Sequence, residues 1–203
     1  KAVLKSSTYG GAWIRLAELE MSFGRMDDAL AALDKGLALS PRHAGGLALR
    51  GFALARSGRT REAETAFNQA IALDGGLGNA WLGRGLCRFH HGDRAGGRAD
   101  LQVAATLEPQ RSVLRSYLGK AFAKEGDFRR AEKELKLARE ADPNDPTSWL
   151  YLALLYREEN RINEAIENLE QSKARNDNRS VYQSRLGLDQ DQATRAANLA
   201  GIY

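Results

Sequence analysis

The chain has 203 residues, 43% hydrophobic and 28% charged, with a net charge of +4 and a pI near 9.3. This balance excludes a disordered tail and suits one domain or one extended array. A single cysteine, Cys87, excludes a disulfide framework, and no apolar run approaches the roughly 18 residues that signal a membrane span.

The basic residues are scattered among acidic ones along the whole chain, not gathered into the stripe of a nucleic-acid binder. Such a surface gives a weak preference for acidic protein partners. The chain begins at Lys1, not Met, which points to a trimmed start and leaves the compartment open between cytoplasm and cell envelope, with the periplasm or cell surface preferred. The Ala/Gly/Arg/Leu-rich composition suits a GC-rich bacterial genome.

Residues 1–9 read as the tail of an earlier helix, Ala-Val-Leu-Lys, followed by a Ser-Ser-Thr loop. From residue 10 onward a paired helical pattern recurs, and no strand pattern interrupts it, so the expected class is all-α. The stretch 112–145 shows the unit most clearly. Leu114, Leu118, Ala121 and Phe122 recur at helical spacing, then Gly126-Asp127, then Phe128, Ala131, Leu135 and Ala138. Pro143 stops the second helix, because proline lacks an N–H and clashes with the preceding turn.

Sliding this unit by a period of 34 residues carries Gly126 onto Gly92, Gly58, Gly24 and Asn160. The chain must reverse there through positive φ, which glycine adopts freely and asparagine better than most other residues. Ala131 falls on Gly97, Ala63, Ala29 and Ala165, small residues suited to a close helix contact. Pro143 falls on Pro109, Gly75, Pro41 and Asp177. The repeats are placed at 10–43, 44–77, 78–111, 112–145 and 146–179. Asp27 and Asp127 stand at second-helix starts, where a carboxylate caps the helix and complements its dipole. After Lys173 the rhythm slips into a polar loop. Residues 180–203 read as a degenerate helix followed by the first helix of a further, truncated repeat, with Leu199, Ala200 and Tyr203 back in register. The array is therefore expected to be a fragment of a longer one.

Aligned in this way the chain resembles the tetratricopeptide repeat family, with its Trp-x2-Leu-Gly-x2-Tyr…Ala-x3-Phe…Pro pattern. The Trp slot holds Trp13, Leu47, Trp81, Arg115 and Trp149; the Leu slot holds Leu16, Arg50, Arg84, Leu118 and Leu152. The next slot is small throughout: Ala17, Gly51, Gly85, Gly119 and Ala153. The Tyr slot holds Glu20, Leu54, Arg88, Phe122 and Tyr156, and the Phe slot holds Leu33, Phe67, Leu101, Leu135 and Leu169. Glu20, Arg50, Arg84, Arg88 and Arg115 depart from the pattern. They are expected to weaken single interfaces, and Arg115 to leave its repeat without a wedge. The segment 181–203 also resembles part of large bacterial repeat proteins that carry cell-envelope domains.

The resemblance implies a right-handed superhelical solenoid of antiparallel helix pairs, a protein-binding scaffold and not an enzyme, with first helices lining a concave groove. The first-helix positions not claimed by core slots are then Ile14, Glu18 and Met21; Ala48, Phe52 and Arg56; Asn79, Leu82, Leu86, Phe89 and His90; Ser116, Lys120 and Lys124; Leu150, Leu154 and Arg157. Phe52, Arg56, Leu82, Leu86, Phe89, His90, Lys120, Lys124, Leu150, Leu154 and Arg157 are the expected partner-binding residues. An apolar floor beside basic side chains suits a protein or peptide segment that alternates hydrophobic and acidic residues. The family's clamp for a C-terminal carboxylate uses Lys and Asn, which the groove slots of the first two repeats lack. The competing expectation is an assembly protein whose arrays self-associate or coat a larger envelope complex.

Other chemistry is expected to be absent. Cys87, His90 and His91 share a helix end, but no second Cys or His pair completes a zinc site, and His43 lies in another loop. Gly75-Gly-Leu-Gly78 and Gly83-Arg-Gly85 lack the Lys-Ser/Thr of a phosphate loop and the strand of a dinucleotide fold. Asp142-Pro-Asn-Asp-Pro lacks the central glycine of a calcium loop. No metal, cofactor, nucleic acid or membrane insertion is therefore expected.

Overall fold

The computed structural model describes residues 9–176, so the expectations for the first residues and for 180–203 lie outside the described part. The described residues form ten helices and no strand: α1 (Gly10–Ser22), α2 (Met26–Leu39), α3 (Ala44–Arg56), α4 (Thr60–Leu73), α5 (Gly78–His90), α6 (Arg94–Leu107), α7 (Ser112–Lys124), α8 (Phe128–Ala141), α9 (Pro146–Glu158) and α10 (Ile162–Asn176). They pair as consecutive hairpins and divide between two compact units, Lys1–Leu107 and Glu108–Tyr203.

Every hairpin turn has one backbone solution. Gly24, Gly58 and Gly126 have φ of 78°, Gly92 has 87°, and Asn160 is the one non-glycine residue with positive φ among those described, at 59°. The residue after each donates its N–H to a carbonyl five positions back: Arg25 to Glu20 at 2.9 Å, Arg59 to Leu54 at 2.9 Å, Asp93 to Arg88 at 2.9 Å, Asp127 to Phe122 at 3.0 Å and Arg161 to Tyr156 at 2.8 Å. These bonds satisfy carbonyls that the ending helix leaves open. A Cβ at Gly126 would meet nothing within 4 Å, so the objection to a side chain there is conformational and not steric. Gly126→Val is expected to destabilise by more than about 1 kcal/mol, since a β-branched residue resists the left-handed region. An unchanged urea midpoint would contradict this.

In four of the five described hairpins the second helix carries the sharper amphipathic pattern, α5 and α6 being the exception. In α8, Ala131, Leu135 and Ala138 are fully buried while the charged side chains of Phe-Arg-Arg-Ala-Glu-Lys-Glu face outward or sit at the edge. Asp127 caps this helix by accepting the Arg130 N–H at 3.0 Å. That bond, with the adjacent Arg130 guanidinium, holds the Asp127 carboxyl below its ordinary range. Asp27 differs from expectation. It lies inside the first turn of α2, whose N-cap is Arg25, so it can act only through the helix dipole.

The first unit has two linked cores. Ile14, Ala17, Ala29, Ala32, Leu33 and Ala53 form one; Leu47, Ala48, Leu54, Ala63, Ala66, Phe67, Ala70, Ala80 and Cys87 form the other. In the second unit Leu114, Leu118, Leu135, Leu152, Leu155 and Leu169 fill the interior with small alanines between them. The alanines and glycines let helix axes approach closely, and the few large side chains fill what remains.

Candidate partner-binding face

Within each unit a first helix packs on its own second helix and also on the next first helix: α1 on α3, α3 on α5, and α7 on α9. Within each unit the first helices thus share a face, and the expected binding residues divide sharply on it.

Ile14, Ala48, Leu82 and Ser116 are interior, with exposures of 5%, 4%, 6% and 0%. Leu82 therefore leaves the partner-facing set, as do the other three. Ile14 goes inward because Gly36 and Gly46 leave space for it; a Cβ on either would come within 3 Å of its side chain. Phe52 and Phe89 are half-buried and already engaged. Phe52 meets Phe67 edge to face, with centroids 5.0 Å apart at 74°. Phe89 lies where a Cβ on Gly97 would go, 2.7 Å from that position, so its ring fills the gap left by glycine in the small slot. Leu86 is half-buried, Arg56 is exposed, and His90 is exposed beside His91.

In the second unit Lys120, Leu150 and Leu154 are half-buried, and Lys124 and Arg157 are exposed. Among the described residues none of these three cations forms an ion pair, although Arg84, Arg88, Arg111, Arg115, Arg130 and Arg161 all do. Lys120 instead donates to the Tyr151 hydroxyl at 3.3 Å, and its ammonium stands 4.7 Å from the Tyr151 ring centre and 5.9 Å from that of Tyr117. The two tyrosines meet at 6.0 Å and 68°. Burial, with Tyr151 alongside, pushes the Tyr117 phenol up to about 12. Tyr117 and Tyr151 occupy equivalent positions one period apart, next to the slots counted as groove. That shared register was the available signal for them.

A polar cluster of a different kind occupies the first unit. Asp100 on α6 is 2% exposed and accepts two hydrogen bonds from Arg84, Nε at 2.8 Å and Nη2 at 2.7 Å. Arg88 Nη1 reaches the same carboxylate at 3.0 Å, and Arg84 Nη1 donates to Asn68 at 2.9 Å. Glu64 takes Arg88 at 3.5 Å and His91 at 3.2 Å, while the other ring nitrogen of His91 meets the Thr60 hydroxyl at 2.9 Å. Arg84 and Arg88 therefore do not simply weaken an interface. They replace its apolar contacts with charge pairing across α4, α5 and α6. Beside them Arg61, Glu64, Thr65, Asn68 and His91 line an open depression of about 510 Å³. Its acidic and basic groups offset one another, so it presents no single charge to a ligand.

Arg115 also corrects the expectation of a missing wedge. Trp81 and Trp149 each donate the indole N–H to the carbonyl six residues back, Gly75 and Pro143, at 2.9 Å. Arg115 donates Nε to Pro109, likewise six residues back, at 2.7 Å, and Nη1 to Glu134 at 2.7 Å. The guanidinium is planar and carries donors, so it reproduces the tryptophan's bond and adds a charge pair.

Cys87 points into the core at 3% exposure, and burial pushes its thiol up to about 11. A thiol so held is protonated at neutral pH and is shielded from reagents in solution. Among the described residues no group of three or more Cys, His, Asp and Glu could hold a metal ion. Among the same residues no helix is long and apolar enough to cross a membrane.

Repeated helix hairpins with aligned first helices define an all-α repeat protein of the interaction-scaffold class. The chain belongs to the tetratricopeptide repeat family: models described as tetratricopeptide repeat match residues 10–43, 49–112 and 122–187. The family is generally non-catalytic and binds protein or peptide partners. Among solved structures the chain is similar to TTC0263, a thermophilic repeat protein of this family from Thermus thermophilus, at 18% identity over 93% of this chain and 99% of that one, TM-score 0.77. It is also similar to the APC/C heterotetramer Cut9–Hcn1, at 18% identity over 99% of this chain and 38% of that one, TM-score 0.83. A third, YrrB, described as having an unusual peptide-binding site, is 22% identical over 86% of this chain and 90% of that one, TM-score 0.58. At these identities the likeness is one of fold. A search of curated proteins returns no match.

Proposed function

We propose that the chain is an interaction module that holds an extended peptide or a partner helix against the exposed faces of its first helices. The repeats at 10–43, 44–77, 78–111, 112–145 and 146–179 are taken as its units. One observation carries the reading. Lys120, Lys124 and Arg157 stand on the two first helices of the second unit, which also carry the half-buried Leu150 and Leu154, and among the described residues none of the three cations forms an ion pair. Two like charges one turn apart on α7 repel, by about 0.2–0.5 kcal/mol in isolated helices. A partner carrying acidic groups would remove that repulsion and cover the leucines in one step.

The test is a comparison of faces. A partner recovered with the chain from its native lysate is titrated against Lys120→Glu with Lys124→Glu on α7, and against Arg129→Glu with Lys133→Glu on α8. The first pair is expected to weaken binding about tenfold or more at low salt and less at high salt, as charge-steered association does. The second pair is expected to bind like the parent. The opposite pattern would shift the reading to an assembly protein that associates through its outer helices, which light scattering over a concentration series would then register as self-association.

A further inference from the structure

We infer that the Tyr117–Lys120–Tyr151 cluster on α7 and α9 reads the side-chain carboxylate of an acidic residue within an extended peptide, while Leu150 and Leu154 take an apolar neighbour of that residue. This rests on the partner-binding reading above and names the chemistry of the partner.

The argument begins with the lysine. A surface lysine samples many rotamers, and ordering it opposes binding. Lys120 is already placed: its ammonium sits 3.3 Å from the Tyr151 hydroxyl and 4.7 Å from the centre of the Tyr151 ring. An ammonium carries three N–H donors, and neither the phenol bond nor the cation–π contact uses them all. The remaining donors lie at a half-buried position, where a charge–charge contact is stronger than in open water. Lys124, one turn along α7, adds charge of the same sign.

The acid that faces the cluster from within the fold is Asp145. It is 2% exposed and caps α9 by accepting the Thr147 N–H at 3.0 Å. Its charge helps to raise the Tyr117 phenol, while among the described residues Lys120 forms no ion pair.

The geometry favours a carboxylate over other anions. A phosphate is usually met by the forked donors of arginine, whereas one ammonium above a phenol offers a narrower contact suited to a single carboxylate. A nucleic-acid strand would need open aromatic faces for its bases. Here the two rings pack edge to face and Lys120 covers Tyr151.

The experiment pans a randomised peptide-display library on the full chain. Enriched peptides are expected to carry Asp or Glu at one fixed position beside an aliphatic residue. Changing that acid to its amide should weaken binding about tenfold. In Lys120→Met, which keeps the stem and removes the charge, the acid and amide forms should bind within about twofold of each other. Circular dichroism checks that the variant is folded. An unchanged acid preference in Lys120→Met, or enrichment without a fixed acid, overturns the inference; the partner-binding reading then stands if Leu154→Glu abolishes binding. Binding that survives Leu154→Glu, or no enrichment at all, overturns both.

Discussion

Asp100→Ala is expected to lower the stability of the chain by about 3–5 kcal/mol, the range for removing one partner from a buried ion pair. The Asp100 side chain is 3% exposed, and the arginines it receives are 13% exposed at Arg84 and 27% at Arg88. Removing the carboxylate leaves two guanidinium groups on α5 with much of their water already stripped and only the 3.5 Å pair of Arg88 with Glu64 to offset their charge. Arg84 keeps Asn68 and the face of Trp81, at 4.6 Å, but neither carries a compensating charge. The informative control restores the family pattern: Arg84→Leu, Arg88→Tyr and Asp100→Ala together. Replacing a buried charge cluster with apolar groups of similar size is often neutral or stabilising, so the triple variant should melt near or above the parent. The non-additivity between single and triple variants reports the coupling directly. A loss below about 1 kcal/mol for Asp100→Ala would mean that water reaches the cluster and that the pairs behave like surface ones.

This cluster also shows where reading the chain by repeat slot succeeds and where it stops. The slots at which backbone conformation decides the residue were legible. Gly24, Gly58, Gly92, Gly126 and Asn160 align because a hairpin turn demands positive φ, and few residues satisfy it. Comparing one slot across repeats marks Arg84, Arg88 and Arg115 as anomalies, but their explanation lies within a repeat. Asp100 and Glu134 occupy the same second-helix slot, where the first two repeats carry Ala32 and Ala66. Both repeats with an acid there carry arginine in a first-helix core slot, whereas the arginine of the second repeat, Arg50, pairs with Asp34 of the first. Pairing each charge with the opposite one in its own repeat would have exposed both substitutions.

The candidate face was less legible, for a geometric reason. A half-buried helix presents a graded set of exposures, and which side chain goes inward depends on its neighbours on other helices. Ile14 enters because two glycines face it, and Phe89 is drawn to Gly97. Lys120, Lys124, Leu150, Leu154 and Arg157 remain outward or at the edge. The tyrosines that hold Lys120 belong to a slot that is glycine in the third repeat, at Gly83, so no motif marks it.

That same Gly83 leads to the second large expected effect. Phe67 on α4 is completely buried, and its ring lies between Gly51 on α3 and Gly83 on α5. A Cβ on Gly83 would come within 2.1 Å of Phe67 Cζ and 2.3 Å of Cε1; one on Gly51 would come within 2.6 Å of Cε1. Carbon atoms do not approach so closely. The ring cannot rotate away, because it is rigid, enclosed and held edge-on by Phe52 at 5.0 Å. Gly83→Ala is therefore expected to destabilise by about 1–3 kcal/mol through overpacking, even though alanine has the better helix propensity. Propensity alone would give a gain of about 1 kcal/mol, so the sign of the change separates the two effects. Phe67→Leu should be destabilising by itself, since it leaves a cavity between the glycines. Combining Gly83→Ala with Phe67→Leu should recover part of the loss, because the methyl group enters space that the smaller side chain vacates. Urea denaturation of the four proteins closes a double-mutant cycle, and a coupling of at least about 0.5 kcal/mol in the compensating direction is the expected result. Purely additive changes would mean that α3 and α5 yield around the ring and that the close approach of Gly83 to Phe67 does not set the spacing of the first helices.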